Sequence, residues 1–374
     1  MADSPARKPA GVQVARARAL PKALIVFWGV FAVIVLGGIG VLQYLGPPPV
    51  PLLAAADIHH GSGAAMAPAA LVVKTAAELP TPTALSQPGT DSMLAVGQAI
   101  SAPDPALLAP SVTNPNWLVP HIAPNGMAPM RAYAGAAVSR PGPHVAVLVA
   151  GIGDDDSQSQ EAVTTLPAAV SLAITPYGQH IAGIAALARA SGHELLLAIP
   201  MQEADPVTEN AGDEALVMAG PIMLNQPMLD WSLSQFQGYA GVTDAIGVTQ
   251  GAGFMNNPVA KAWLLQEIAD KGLFFIDARQ TGPAPYAWNR TADVVIDPIQ
   301  APEQESTQLM QLAADARLRG DALGILLNPA PGTLQTLASW TQTLAAQGIT
   351  LVPVSALVLP PVGLSPTTAA TVIP

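Results

Sequence analysis

The sequence predicts an α/β fold for residues 142–358 of this 374-residue chain. Short apolar runs rich in β-branched residues alternate there with longer amphipathic stretches, the pattern of parallel strands joined by helices. Glycines also follow four of the amphipathic stretches, where a left-handed residue ends a helix. Eight apolar runs suggest a barrel-like sheet, although the pattern alone fits a doubly wound open sheet nearly as well. In either architecture a binding site lies at the carboxyl ends of the strands.

Each predicted strand is a short apolar run suited to burial on both faces of a sheet. The runs are 145–149, 170–175, 194–199, 245–249, 273–276, 293–296, 323–327 and 349–354. The predicted helices are 157–166, 180–190, 228–239, 259–271, 303–319 and 334–347. The terminating glycines are Gly192, Gly272, Gly320 and Gly348.

The region before the domain predicts a membrane anchor and a tether. Residues 1–22 form a basic tail, and residues 23–45 are uncharged and apolar over the length that spans a bilayer core of ~30 Å. By the positive-inside rule, we expect a cytoplasmic N-terminus and a single-pass inner-membrane protein with a periplasmic domain. A cleaved signal peptide is the alternative, but its apolar region is normally shorter. Residues 46–141 are rich in Ala and Pro and predict a largely disordered linker, and residues 359–374 a flexible tail.

Composition excludes several functions. The net charge is −11 and only 11% of residues are charged, which argues against nucleic acid as a partner. The chain has no cysteine, so thiolate nucleophiles and zinc–thiolate sites are absent. Any bound metal would need His and carboxylate ligands.

Three motifs, at residues 144–153, 192–201 and 274–279, follow one another in an order and spacing that resemble the divergent polysaccharide deacetylase family. The resemblance implies an irregular (β/α) barrel of seven to eight strands. It also implies a link to carbohydrate or cell-envelope polysaccharide metabolism. In the family, a divalent metal supports deacetylation.

The residues that bind the metal in that family differ here. The family has Asp-Asp after its first strand, His-x-Pro-Met after its third, and a His within a later Asn-Asn-His-Met-Gly-Ser segment. The corresponding residues in this chain are Ala150 and Gly151, Ala198, and Gly251. A further family motif, Gly-His-Pro, has Asn328 in place of the imidazole. We therefore expect no metal cofactor and no catalysis. The expected role is binding of a cell-envelope glycan or a periplasmic protein.

An acidic cluster leaves an alternative open. Asp154, Asp155 and Asp156 follow the first predicted strand and precede a helix, where they could be shifted metal ligands or a catalytic base. Capping of the helix is the simpler interpretation. The alternative function is an active metal-dependent deacetylase or hydrolase with relocated ligands from this cluster, Asp277 and Asn328. Its divalent cation would then be bound by oxygen ligands.

Three further residues are predicted to line a binding cleft. Arg279 follows a strand and offers a planar donor fork for a carboxylate or a sugar acid. Trp288, in a Pro-rich loop, could stack on a sugar ring, and Asn328 follows the seventh predicted strand. His193 begins a strand and is expected to be a structural, hydrogen-bonded histidine.

Overall fold

The structure is a computed structural model that describes residues 97–137, 140–205, 210–246, 250–279, 286–299 and 301–361. The predicted basic tail, the membrane span 23–45, linker residues 46–96 and tail residues 362–374 lie outside these ranges. Within the described ranges, every helix is too short or too polar to cross a bilayer.

The domain is built on a parallel sheet that is curled into a half-barrel with flanking helices. This is the architecture of an irregular (β/α) barrel, as predicted. Its strands are β3 (His144–Ile152), β4 (Ser171–Ile174), β5 (Leu195–Ala198), β6 (Gly241–Thr243), β7 (Phe274–Asp277), β8 (Asn289–Thr291), β9 (Val294–Ile296), β10 (Asp321–Leu326) and β11 (Thr350–Leu351). The order is β8-β7-β6-β5-β4-β3-β10-β9, and β11 pairs with the start of β3. A separate antiparallel hairpin joins β1 (Leu108–Pro110) to β2 (Leu118–Pro120).

The helices lie close to their predicted positions. They are α1 (Pro129–Ala132), α2 (Asp156–Thr165), α3 (Ile181–Ala190), α4 (Gln226–Ser234), α5 (Ala252–Met255), α6 (Pro258–Asp270), α7 (Glu305–Arg319) and α8 (Thr333–Leu344). The four predicted terminating glycines all have positive φ, of 84°, 70°, 92° and 70° in chain order. Sequence patterning therefore predicted six of these helices, whereas the short α1 and α5 were not predicted.

The sheet separates two apolar layers. On one face, alternate residues of β3 pack with the helices: Val145, Val147 and Val149. On the other face, the residues between them pack in a second apolar layer: Ala146, Leu148 and Ala150. Residues from 97–137 and from 352–358 also contribute side chains to this layer. Both faces of the sheet are thus covered by apolar side chains, as a parallel sheet requires.

The predicted linker boundary at residue 141 is wrong for residues 97–137, which belong to the folded domain. Ile100, Leu107 and Met130 are buried in the second apolar layer. Asp230 of α4 accepts hydrogen bonds from the hydroxyls of Ser111 (2.6 Å) and Thr113 (2.9 Å). The error arises because the buried residues are irregularly spaced within an Ala/Pro-rich composition that is typical of tethers.

The strand predicted at 245–249 is also wrong in position, because β6 is Gly241–Thr243 and 247–249 lie outside the described residues. Gly241 is required by packing: a Cβ at this residue would lie 2.4 Å from Cε2 of Phe274. Glycine has a low strand propensity. The strand was therefore predicted at the apolar run 245–249, after Gly241, instead of beginning at this glycine. The short strand β8 was not predicted.

Candidate functional site

A pocket of about 580 Å³ opens at the carboxyl ends of β3 and β4. Two loops form its walls, one between β3 and α2 and one between β4 and α3. The chief lining side chains are Asp154, Asp155, Asp156, Tyr177, Gln179 and His180. Its position is the one predicted for a site in either candidate architecture.

The two loops are packed backbone against backbone. A Cβ at Gly178 would lie 2.2 Å from the carbonyl oxygen of Gly153, so a side chain cannot be accommodated there. Gly153 itself has a φ of 98°, in the region that favours glycine. These two glycines therefore fix the separation of the pocket walls.

Two of the three aspartates have structural partners. Asp155 is the N-cap of α2: its Oδ1 accepts hydrogen bonds from the Ser157 hydroxyl (2.6 Å) and the Gln158 amide (2.8 Å). These bonds lower the pKa of Asp155. Asp156 lies 2.6 Å from Nδ1 of His180, which joins the starts of α2 and α3. The geometry of Asp155 matches the helix-capping interpretation.

Asp154 differs from its neighbours. Its side chain bonds to Thr175, just after β4, which lowers its pKa, but the larger effect of desolvation by the pocket walls raises the pKa above the ordinary value. Asp154 is exposed and lines the pocket, so its carboxylate is available to accept a ligand's hydrogen bond.

Tyr177 gives the pocket an aromatic wall. Its ring centroid lies 5.5 Å from that of Trp231, with 40° between the ring planes, and 38% of the residue is exposed. Gly212 approaches so closely that a Cβ there would lie 2.4 Å from the tyrosine hydroxyl. Burial raises the pKa of Tyr177 to about 12, so the hydroxyl stays neutral near neutral pH. Sequence analysis missed this residue, although its place two residues after a strand end was a usable signal.

The positions that the resemblance assigns to metal ligands do not fit a metal. Ala150 is fully buried in the second apolar layer and Ala198 is 1% exposed. Gly251 is the N-cap of α5 with a φ of 62°, and a Cβ there would lie 2.6 Å from Cβ of Met201. Gly151 has a φ of 77° and faces Asn328, whose Oδ1 would lie 3.1 Å from a Cβ at residue 151. Among the described residues, no three His, Asp or Glu side chains converge as a metal-binding set.

A carboxylate organises the loop that carries Gly251. Glu203 is 5% exposed, and its Oε1 accepts hydrogen bonds from the amides of Gln250 (2.7 Å) and Gly251 (2.5 Å). Its Oε2 accepts a third from Ala252 (3.0 Å). This loop is therefore fixed by an anion bound to consecutive backbone amides. Sequence analysis missed Glu203, because nothing in the local pattern connects it with a loop 48 residues away.

A second polar cluster lies at the ends of β6 and β7. Arg279 places Nε 3.5 Å from Oδ2 of Asp244, and Lys261 places Nζ 3.2 Å from Oδ2 of Asp277. Asp277 also accepts a hydrogen bond from the backbone amide of Arg279 (2.9 Å). Burial, and then the charge of Asp277, raise the pKa of Asp244 well above the ordinary value, against the amide of Ala278 and the charge of Arg279. The predicted candidates Asp277 and Arg279 thus come together, Asp277 beside Lys261 and Arg279 beside Asp244.

The three predicted cleft residues have different surroundings. The side chain of Arg279 is 8% exposed and donates to Asn256 Oδ1 at 2.8 Å, so it lies inside the polar cluster. Asn328 is half-buried beside Gly151 with a φ of 38°, at the pocket end of the sheet. Trp288 is 7% exposed within the second apolar layer. Its carbonyl accepts from the amide of Phe275, near the amino end of β7, so its predicted place in the cleft is wrong.

His193 is a structural residue. It is 1% exposed, and its Nδ1 and Nε2 lie 2.9 Å and 3.2 Å from the carbonyl oxygens of Val170 and Val163. The imidazole therefore joins β4 and α2 to the start of β5, away from the pocket.

Comparison with known proteins agrees with the fold. The sequence profile of the divergent polysaccharide deacetylase family matches residues 147–358, more than half of the chain. The crystal structure of an uncharacterized protein from Agrobacterium tumefaciens C58 is similar with a TM-score of 0.59 and 26% identity, covering 64% of this chain and 99% of that one.

A candidate cellobiose-phosphate cleavage protein from Enterococcus faecalis V583 has a TM-score of 0.41 and 13% identity, over 58% of this chain and 100% of that one. No curated protein matches the chain. On the family match, the chain belongs to the divergent polysaccharide deacetylase family.

Proposed function

We propose that this protein is a membrane-anchored, non-catalytic member of the family that binds a cell-envelope glycan in the periplasm. The observation that carries the proposal is the packing at the positions that the resemblance assigns to metal ligands. The methyl side chains of buried Ala150 and Ala198 have no atom that can bind a metal, and a side chain at Gly251 would overlap Met201. A metal site at these positions would therefore require repacking as well as other side chains.

The pocket favours a glycan over a protein as its ligand. It is concave, and its volume of about 580 Å³ lies in the usual range for small-ligand sites. The ring of Tyr177, fixed against Trp231, offers an apolar face for a sugar ring. Asp154 and Gln179 supply acceptors and donors for sugar hydroxyls. The membrane anchor and the periplasmic location follow from residues 1–45 and are part of this proposal.

Co-sedimentation of the full chain with isolated peptidoglycan tests the proposal. We expect binding that is unchanged by EDTA and weakened in Asp154→Asn and Tyr177→Ala variants. Tyr286→Ala is the matched control, because it removes a 52% exposed tyrosine outside the pocket. Peptidoglycan binding that Tyr177→Ala leaves unchanged would refute the pocket assignment.

The alternative, an active hydrolase with relocated ligands, predicts a different result. It requires release of acetate from acetylated chitooligosaccharides, abolished by EDTA and restored by a divalent cation. Loss of that activity in an Asp154→Asn variant would favour the alternative over glycan binding alone.

A further inference from the structure

The β1–β2 hairpin presents an apolar tip to solvent, which we define as residues 110–118. Pro110 of β1 lies opposite Leu118 of β2, and residues paired in an antiparallel ladder point to the same face. Both are exposed, Leu118 by 41%. In the connecting turn Val112 is 90% exposed and Trp117 is half-buried. The tip thus exposes the apolar side chains of Pro110, Val112 and Leu118, beside the exposed polar Thr113 and Asn116.

The hairpin tip is attached to the domain on its other side. The hydroxyls of Ser111 and Thr113, which flank Val112, donate to the same Oδ2 atom of Asp230. Asp230 is 1% exposed and also accepts from the side-chain amide of Gln226 at 3.0 Å. Polar bonds therefore fix the inner side of the turn, and Val112 is directed outward between two anchored residues.

The chain segment that contains the tip has no formally charged residue over a long stretch. Residues 105–130 include no Asp, Glu, Lys or Arg, in a chain whose net charge is −11. An acidic protein is repelled by an anionic bilayer surface, and an uncharged apolar surface is the part that can approach it. Tryptophan is also enriched at the level of lipid headgroups.

The chain itself favours a bilayer as the occupant. The predicted membrane span ends at residue 45, and fifty-one residues separate it from residue 97, the first that the structure describes. The proposed anchor would keep the domain close to the membrane and raise its effective concentration there, so weak insertion of a few side chains suffices for docking.

We propose that the hairpin tip inserts into the headgroup region of the bilayer that anchors the chain. This inference rests on the proposed function, because it requires the membrane anchor at residues 23–45. Docking through this tip would hold the domain in one orientation at the membrane surface.

The absence of cysteine makes a direct test possible. Val112→Cys and Leu318→Cys variants of the full chain are labelled with an environment-sensitive NBD fluorophore and reconstituted into phosphatidylcholine vesicles with a minor fraction of phosphatidylglycerol. Leu318 is the matched control, because it is 83% exposed on α7. Brominated phosphatidylcholine then quenches only labels in contact with lipid. We expect the label at 112 to emit at shorter wavelength and lose about half its intensity, because interfacial insertion reaches about 5–10 Å into the headgroup–acyl boundary.

Three results would overturn the proposal. Equal quenching at the two positions would show that residue 112 has no specific lipid contact. A label at 112 that is shielded from water but not quenched would indicate a protein partner or a second copy of the chain. Failure of the chain to float with vesicles would refute the anchor and this inference together, whereas flotation without quenching at 112 refutes the inference alone.

Discussion

Replacing Glu203 with Gln tests whether a carboxylate, rather than a metal, organises the loop around Gly251. The introduced glutamine would keep one acceptor oxygen, which can still accept from Gln250 and Gly251. Its amide nitrogen would replace Oε2 and face the backbone N–H of Ala252, a donor against a donor. The substitution therefore removes the negative charge and one hydrogen bond with almost no change in volume.

The three bonds set the magnitude of the effect. Losing a hydrogen bond to a charged group costs roughly 1.5–3 kcal/mol, and converting the other two into neutral bonds adds about 1 kcal/mol. We therefore expect Glu203→Gln to lower the free energy of unfolding by about 3 kcal/mol. For a domain of this size, the corresponding fall in Tm is roughly 6–12 °C.

Thermal and urea unfolding of the full chain, followed by circular dichroism, measures this change. Glu303→Gln is the matched control, because Glu303 is exposed at the approach to α7 and is expected to leave stability nearly unchanged. A Glu203→Gln protein as stable as the control would refute the reasoning. So would a wild-type protein that is strongly stabilised by zinc.

Three other substitutions test the polar clusters and the packing. The raised pKa of Asp244 makes its folded form favour the proton, so wild-type stability should fall as pH rises through that pKa. In urea unfolding at acid and alkaline pH, Asp244→Asn should make the free energy of unfolding depend less on pH. An unchanged pH dependence in this variant would contradict the prediction. Asp230→Ala should cost about 2–3 kcal/mol and speed hydrogen exchange at residues 108–120, because the buried hydroxyl of Ser111 and the hydroxyl of Thr113 lose their acceptor. Gly251→His should destabilise the protein by roughly 1–3 kcal/mol without conferring zinc affinity, since its Cβ meets Met201; tight zinc binding by this variant would show that the loop can repack.

Periodic features of the fold could be predicted from the sequence. Apolar runs located most of the sheet, and glycines such as Gly320 marked helix ends. The hairpin segment and β6 could not be predicted. Their burial depends on contacts distant in sequence, such as Asp230 with Ser111 and Gly241 with Phe274.

The candidate site was predictable only in outline. Strand ends indicated the edge of the sheet at which a pocket lies, and the aspartates after β3 line that pocket. The partners of Glu203 and Arg279 depend on loops that only the fold brings together. Trp288 was misplaced because a loop tryptophan suggests exposure, whereas this one fills the second apolar layer.

Metal content tests the central claim most directly. The full chain is exposed to zinc, magnesium and calcium, dialysed extensively and analysed by inductively coupled plasma mass spectrometry, beside a variant in which Asp154, Asp155 and Asp156 are all replaced by Ala. A folded protein without stoichiometric metal is the predicted result. Near-stoichiometric metal that disappears in the triple variant would contradict the account and identify the acidic pocket as a relocated metal site.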